Sequence, residues 1–176
     1  MFSLNKFQIA EHSISGTIPS SFERLTNLEI VNLFDNRLSG SLPKAWLEEA
    51  KNLQFLVLAD NNFEGTLPAF FRQSGLRWAV FENNRFEGTL PPTIFQLPAL
   101  EWLFLSGNRL NGTIPQTIVA LGDLQLFHAS GNEFSGTIPA NFGSLDQLGE
   151  LLLDGNRFIG SIPSELGSLD GLRILD

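Results

Sequence analysis

One short word recurs along this chain: SGTIP, SGSLP, EGTLP, EGTLP, NGTIP, SGTIP and IGSIP. Its glycines are Gly16, Gly40, Gly65, Gly88, Gly112, Gly136 and Gly160, at steps of 24, 25, 23, 24, 24 and 24 residues. A period of this length dictates stacked copies of one supersecondary unit, because a single coil cannot bury its own apolar face. Nearly every residue belongs to the period. The sequence therefore predicts one domain over residues 1–176, about seven repeats of ~24 residues, with no linker.

Each unit reads L-x-x-L-x-L-x-x-N-x-L-x-G-x-I-P, followed by about ten residues with further apolar positions. The L-x-L segment has period 2 and fits a short strand, and stacked copies would pair as a parallel sheet. Asn36, Asn61, Asn84, Asn108, Asn132 and Asn156 fall in one column. An Asn buried at a turn can bond backbone groups of its own and neighbouring coils. The recurrent Gly suits a turn needing positive φ. The prolines Pro19, Pro43, Pro68, Pro91, Pro115, Pro139 and Pro163 can each open a short helical turn. Pairs such as Phe22 with Leu25 and Ile118 with Leu121 are spaced for one turn facing inward.

These motifs resemble the leucine-rich repeat, in the plant-type variety marked by the G-x-I-P segment, and the match runs along the whole chain. The resemblance implies an α/β fold. It would be a right-handed, horseshoe-shaped solenoid with a concave parallel sheet and short 3-10 or helical turns on the convex side. Similar repeats form the ectodomains of receptor-like kinases and the inhibitors of cell-wall polygalacturonases, which implies an extracellular or cell-surface recognition role.

Departures from the pattern carry their own expectations. Ala79 and Ala129 stand where a core Leu is expected, with Phe81 and Phe127 placed to compensate in volume. One unit has an extra residue and the next has one fewer, so the convex side from Trp46 to Gly75 should be irregular. His12 occupies an Asn-column position. Neither terminus shows the polar cap that a solenoid needs, which predicts a fragment of a longer array.

Composition narrows function. Nineteen Asp+Glu against 11 Lys+Arg give a net charge of −8, which disfavours nucleic acid and anionic membrane surfaces. No apolar run approaches the length of a membrane span. There are no cysteines, hence no disulfide framework and no thiol nucleophile. His12 and His128 lie about five coils apart, no acidic residue shares His128's column, and no metal-ligand cluster or phosphate loop is present. The chain reads as a non-enzyme without cofactor or metal.

The stretch LEWLFLSGN, Leu100 to Asn108, locates the functional expectation. Leu103 and Leu105 would face the core, while Trp102 and Phe104 point to the nominally solvated side. Stacking the coils gives the column Lys6, Ile30, Phe55, Trp78, Trp102, Leu126, Glu150. Beside it run Gln8, Asn32, Val57, Val80, Phe104, His128, Leu152 and then Ala10, Phe34, Ala59, Glu82, Ser106, Ser130, Asp154. A contiguous exposed apolar patch marks a partner site. The candidate ligand-binding residues are Phe34, Phe55, Trp78, Trp102, Phe104 and His128, and the expected partner is a protein or peptide.

Other readings of the same surface remain. Trp78 and Trp102 could stack on sugar rings, which would make a glycan the ligand. The hydroxyl column Thr17, Ser41, Thr66, Thr89, Thr113, Thr137 and Ser161 resembles ice-binding arrays, though Thr in such a column also fits β propensity. A further alternative, ranked behind these, is a spacer in a longer array. Arg37, Arg85, Arg109 and Arg157 follow the column Asn residues, either as exposed ion pairs or as a rim to the aromatic patch. Asn111-Gly112-Thr113 is a sequon, so Asn111 is a candidate glycan acceptor.

Overall fold

A computed structural model describes residues 4–69 and 75–176. Among them, eight short parallel strands form one sheet in chain order: Lys6–Gln8, Ile30–Asn32, Phe55–Val57, Trp78–Val80, Trp102–Phe104, Leu126–His128, Glu150–Leu152 and Ile174–Leu175. The register is that of the sequence columns. Phe55 pairs with Trp78, Trp78 with Trp102, Phe104 with His128, and His128 with Leu152. The result is a solenoid whose one continuous core runs its length, built from residues such as Leu56, Ala79, Leu103, Phe127 and Leu151.

Period 2 explains the inward face. Leu103 and Leu105 are fully buried, as are Ala79 and Phe81 in one strand region and Phe127 and Ala129 in another. Both phenylalanines lie in the core alongside the two alanines. Phe81 meets Phe86 edge-on at 5.6 Å, and Phe127 meets Phe142 at 5.3 Å.

The Asn column does what a turn with orphaned backbone groups requires. Asn108 Nδ2 donates to Phe81 O, Leu105 O and Ser106 O, while its Oδ1 accepts the Phe86 N–H at 3.0 Å. Asn84 repeats this with Leu58 O, Phe81 O, Glu82 O and the Phe63 N–H. Each such amide therefore ties its own turn to the coil before it. His12 is exposed, and its backbone N–H donates to Asp35 O.

A second parallel sheet was not foreseen from sequence. Seven strands follow the Asn turns: Ser15–Gly16, Arg37–Gly40, Asn62–Thr66, Arg85–Thr89, Arg109–Gly112, Glu133–Gly136 and Arg157–Phe158. It accounts for several repeat residues. Arg37, Arg85, Arg109 and Arg157 each begin one of these strands, so they belong to this sheet and do not rim the concave aromatics. Arg157 pairs with Glu133 at 3.1 Å in the open, and Arg85 Nη2 donates to Asn62 Oδ1. The repeat Gly has φ near +80° at its end, for example +79° at Gly112. A Cβ there would lie 2.8 Å from Thr89 Cγ2 of the preceding coil, so the threonine methyl occupies the space a side chain would need.

Backbone strain falls in another column. Glu11, Asp35, Asp60 and Asn83 adopt φ of 60°, 51°, 55° and 52°, and Gly107, Gly131 and Gly155 continue the same position. The left-handed conformation costs an L-residue about 1–2 kcal/mol, and Asn and Asp tolerate it best.

On the convex side five of the described segments after the repeat proline are single helical turns. These are the 3-10 turns Ser20–Arg24, Pro92–Gln96, Gln116–Ala120, Ala140–Ser144 and Ser164–Ser168. The prolines cap these turns from an extended conformation instead of entering them, and only Pro92 lies inside one. Ile118 and Leu121 are buried as expected, while Phe22 and Leu25 are partly buried against the core. The unit with the extra residue forms an α-helix, Lys44–Glu49, with Trp46 and Leu47 buried. The remainder of the expected irregularity, at residues 70–74, lies outside the described residues.

Asn108→Ala should lower unfolding free energy by roughly 2–4 kcal/mol, since it leaves several buried backbone groups unpaired. Asn108→Asp should also destabilise, because a carboxylate cannot donate. Urea denaturation measures both, and a loss below that of an exposed-site control such as Asn111→Ala would contradict the account.

Candidate functional site

The sheet register places five of the six sequence-selected residues in one ring stack. The Phe55 ring meets Trp78 edge-on at 4.8 Å. Trp78 and Trp102 stack in parallel at 4.0 Å, with 1° between their planes. Trp102 stacks on Phe104 at 5.7 Å, and Phe104 on the His128 imidazole at 4.2 Å. Neighbouring strands lie about 4.8 Å apart, so like residues at paired positions must stack or splay. Here they stack, each ring pair adding about 0.5–1.5 kcal/mol beyond area burial. All five side chains are half-buried. Phe34 is also half-buried, but among the described residues no ring contact joins it to the stack.

Charged groups close both ends of the stack. Arg77 lies over the Phe55 ring at 5.9 Å and bonds Glu101 Oε1 through Nε at 2.9 Å and Nη2 at 2.6 Å. His128 Nε2 lies 2.9 Å from Glu150 Oε2, and Nδ1 lies 3.7 Å from Glu82 Oε1. This corrects the sequence reading of His128 as lacking acidic company. That reading looked only along its own column, whereas Glu150 lies one coil on in the adjacent column and Glu82 reaches in from two coils back. The diagonal positions of the strand register were the available signal.

Burial opposes a charge on His128, but the hydrogen bond to Glu150 and the negative charges of Glu82 and Glu150 outweigh it. The imidazole is held above its ordinary value of 6.5. A raised folded-state value stabilises the fold fully below 6.5, and that contribution is lost as pH rises through the folded value. The difference in urea midpoint between wild type and His128→Gln should therefore shrink as pH is raised through that range. A difference that widens would contradict this.

Among the described residues no helix is long and apolar enough to cross a membrane, and no group of three His, Asp or Glu side chains is placed to hold a metal.

The leucine rich repeat family model matches residues 27–47, 52–74, 99–121, 123–145 and 147–169, more than half of the chain. No curated protein matches it. Among solved structures, the plant peptide hormone receptor RGFR1 in complex with RGF2 is 34% identical with a TM-score of 0.91, over 96% of this chain and 27% of that one. The leucine-rich repeat ectodomain of the Arabidopsis receptor kinase HAESA, in complex with an N-terminally extended IDA peptide hormone ligand, is 33% identical with a TM-score of 0.93, over 97% and 29%. The Leptospira interrogans leucine-rich repeat protein LIC12759 is 30% identical with a TM-score of 0.78, over 98% and 42%. The chain thus spans less than half the length of each of these structures. With the repeat consensus, the stacked sheets and the family match in agreement, this chain belongs to the leucine-rich repeat family.

Proposed function

We infer that this chain is a non-catalytic recognition module whose partner is a protein or peptide lying along the concave sheet. The observation that carries the reading is the half-exposed stack Phe55–Trp78–Trp102–Phe104–His128 on an otherwise regular sheet. Preordered aromatics lose little entropy on binding and are frequent interface hot spots. Phe34 flanks the stack as a separate apolar contact. RGFR1 and HAESA, with which the chain shares its fold, are solved with peptide hormones, which supports a peptide partner here. By the same resemblance the module works at the cell surface or outside the cell. It forms one domain within a longer repeat array, with exposed Asn111 on the second sheet available to carry a glycan.

The alternatives fit the geometry less well. A sugar ring binds the face of an aromatic, and the facing surfaces of Trp78 and Trp102 cover each other. Ice-binding arrays need their threonine methyls outward, and the methyl of Thr89 packs at Gly112.

Pull-down from an extract of the source tissue, with wild type against Trp78→Ala/Trp102→Ala, tests the reading. The double variant should lose the captured partners while keeping its strand signal in circular dichroism. Equal capture by a folded double variant would show that the stack is not the site.

A further inference from the structure

We propose that Glu82, His128 and Glu150 form a pH-set charge switch at one end of the aromatic stack, and that it strengthens the hold on a cationic peptide as His128 loses its proton. The proposal rests on the concave-face reading above and adds the partner's charge and its control.

Both nitrogens of the His128 ring face carboxylates, Nε2 toward Glu150 at 2.9 Å and Nδ1 toward Glu82 at 3.7 Å. An ionised carboxylate only accepts hydrogen bonds, and a neutral imidazole has a single N–H. Only the imidazolium can satisfy both. In the neutral ring one lone pair confronts a carboxylate, so one of the two acids is set free. The protonated cluster carries a charge of −1 and the deprotonated cluster −2. The three side chains are partly shielded, at 15% exposure for His128, 25% for Glu82 and 31% for Glu150, so this change is only partly screened by solvent.

Among the described residues, Arg173 of the next coil lines a surface hollow with Glu150 but makes no ion pair with it. His128's own strand, Leu126–His128, contributes no other ionisable group. Trp102–Phe104 presents the Phe104 ring, and Glu101 before it is taken by Arg77. The strand Trp78–Val80 leads to Glu82, and Glu150–Leu152 supplies Glu150 and leads to Asp154. The freed carboxylate is partly exposed beside the half-buried rings, with Asp154 following on the Glu150 strand, and complements a Lys or Arg side chain of an extended peptide. The protonated ring, stacked on Phe104, is the internal cation such a side chain would replace.

The test has a ligand-free arm and a binding arm. His12→Gln leaves His128 as the one imidazole in a proton NMR titration. Its midpoint should lie above 6.5, and Glu82→Gln and Glu150→Gln should each lower it. A short soluble Lys/Phe peptide and its Glu/Phe counterpart, both fluorescently labelled, are then titrated on either side of the His128 midpoint. The Lys/Phe peptide should bind roughly five-fold tighter on the alkaline side, the size of one partly exposed charge contact. In His128→Gln this pH dependence should vanish, with acid-side affinity raised to the wild-type alkaline level. An unshifted His128 midpoint, or the same pH dependence in His128→Gln, overturns the switch while leaving the concave-face reading intact. If neither peptide binds wild type at any pH, and pull-down is equally insensitive to the Trp78/Trp102 pair, the concave-face reading fails and the switch with it.

Discussion

Among the described residues, five successive coils are each closed by a buried asparagine amide, and the next by the partly buried Asn156. Asn61 reaches back to Leu33 O and accepts from the Leu38 N–H, and Asn156 does the same with Ala129 O and the Phe134 N–H. Such an amide satisfies backbone groups that a tight turn would otherwise leave unpaired, and it does so across two coils at once. It thereby fixes how far each coil advances on the last. The strand pairings, the buried leucine rows and the second sheet are geometric consequences of that repeat distance.

The same constraint makes the concave surface an organised object. With strands held in register, side chains at equivalent positions cannot avoid one another, and a run of aromatics becomes a stack of rings. The facing surfaces of the rings stabilise the sheet, and in the function proposed above the same rings also meet the partner. This differs from a set of separate hydrophobic residues, because the rings are already ordered before anything binds. The charged groups at its two ends differ in kind. Arg77 and Glu101 make an exposed pair with a fixed charge, whereas Glu82, His128 and Glu150 make a cluster whose charge depends on pH.

Several features of this surface were legible in the sequence and others were not. The columns through Trp102 and Phe104 followed from the period alone, and the pairings reproduce them residue for residue. Glu82 falls in a third column, and the period shows only that no acidic residue shares His128's own column. A long flexible side chain crosses columns, and no periodic pattern records its direction. The second sheet escaped notice because its strands are short and include the repeat Gly, which a propensity argument assigns to a turn. The prolines open the helical turns, and the structure adds that they do so from the extended position just before each turn.

The sequence by itself determined the repeat, the solenoid, the inward leucines, the role of the asparagines and the row in which the aromatics lie. Those depend on spacing, and spacing is written in the chain. The tertiary structure decided that the indoles stack face to face, that Phe34 stands apart, that the arginines belong to another sheet, and that His128 sits between two acids. Each of these is a matter of rotamer and reach between coils some two dozen residues apart, where the energies of several arrangements differ by little and only packing selects one.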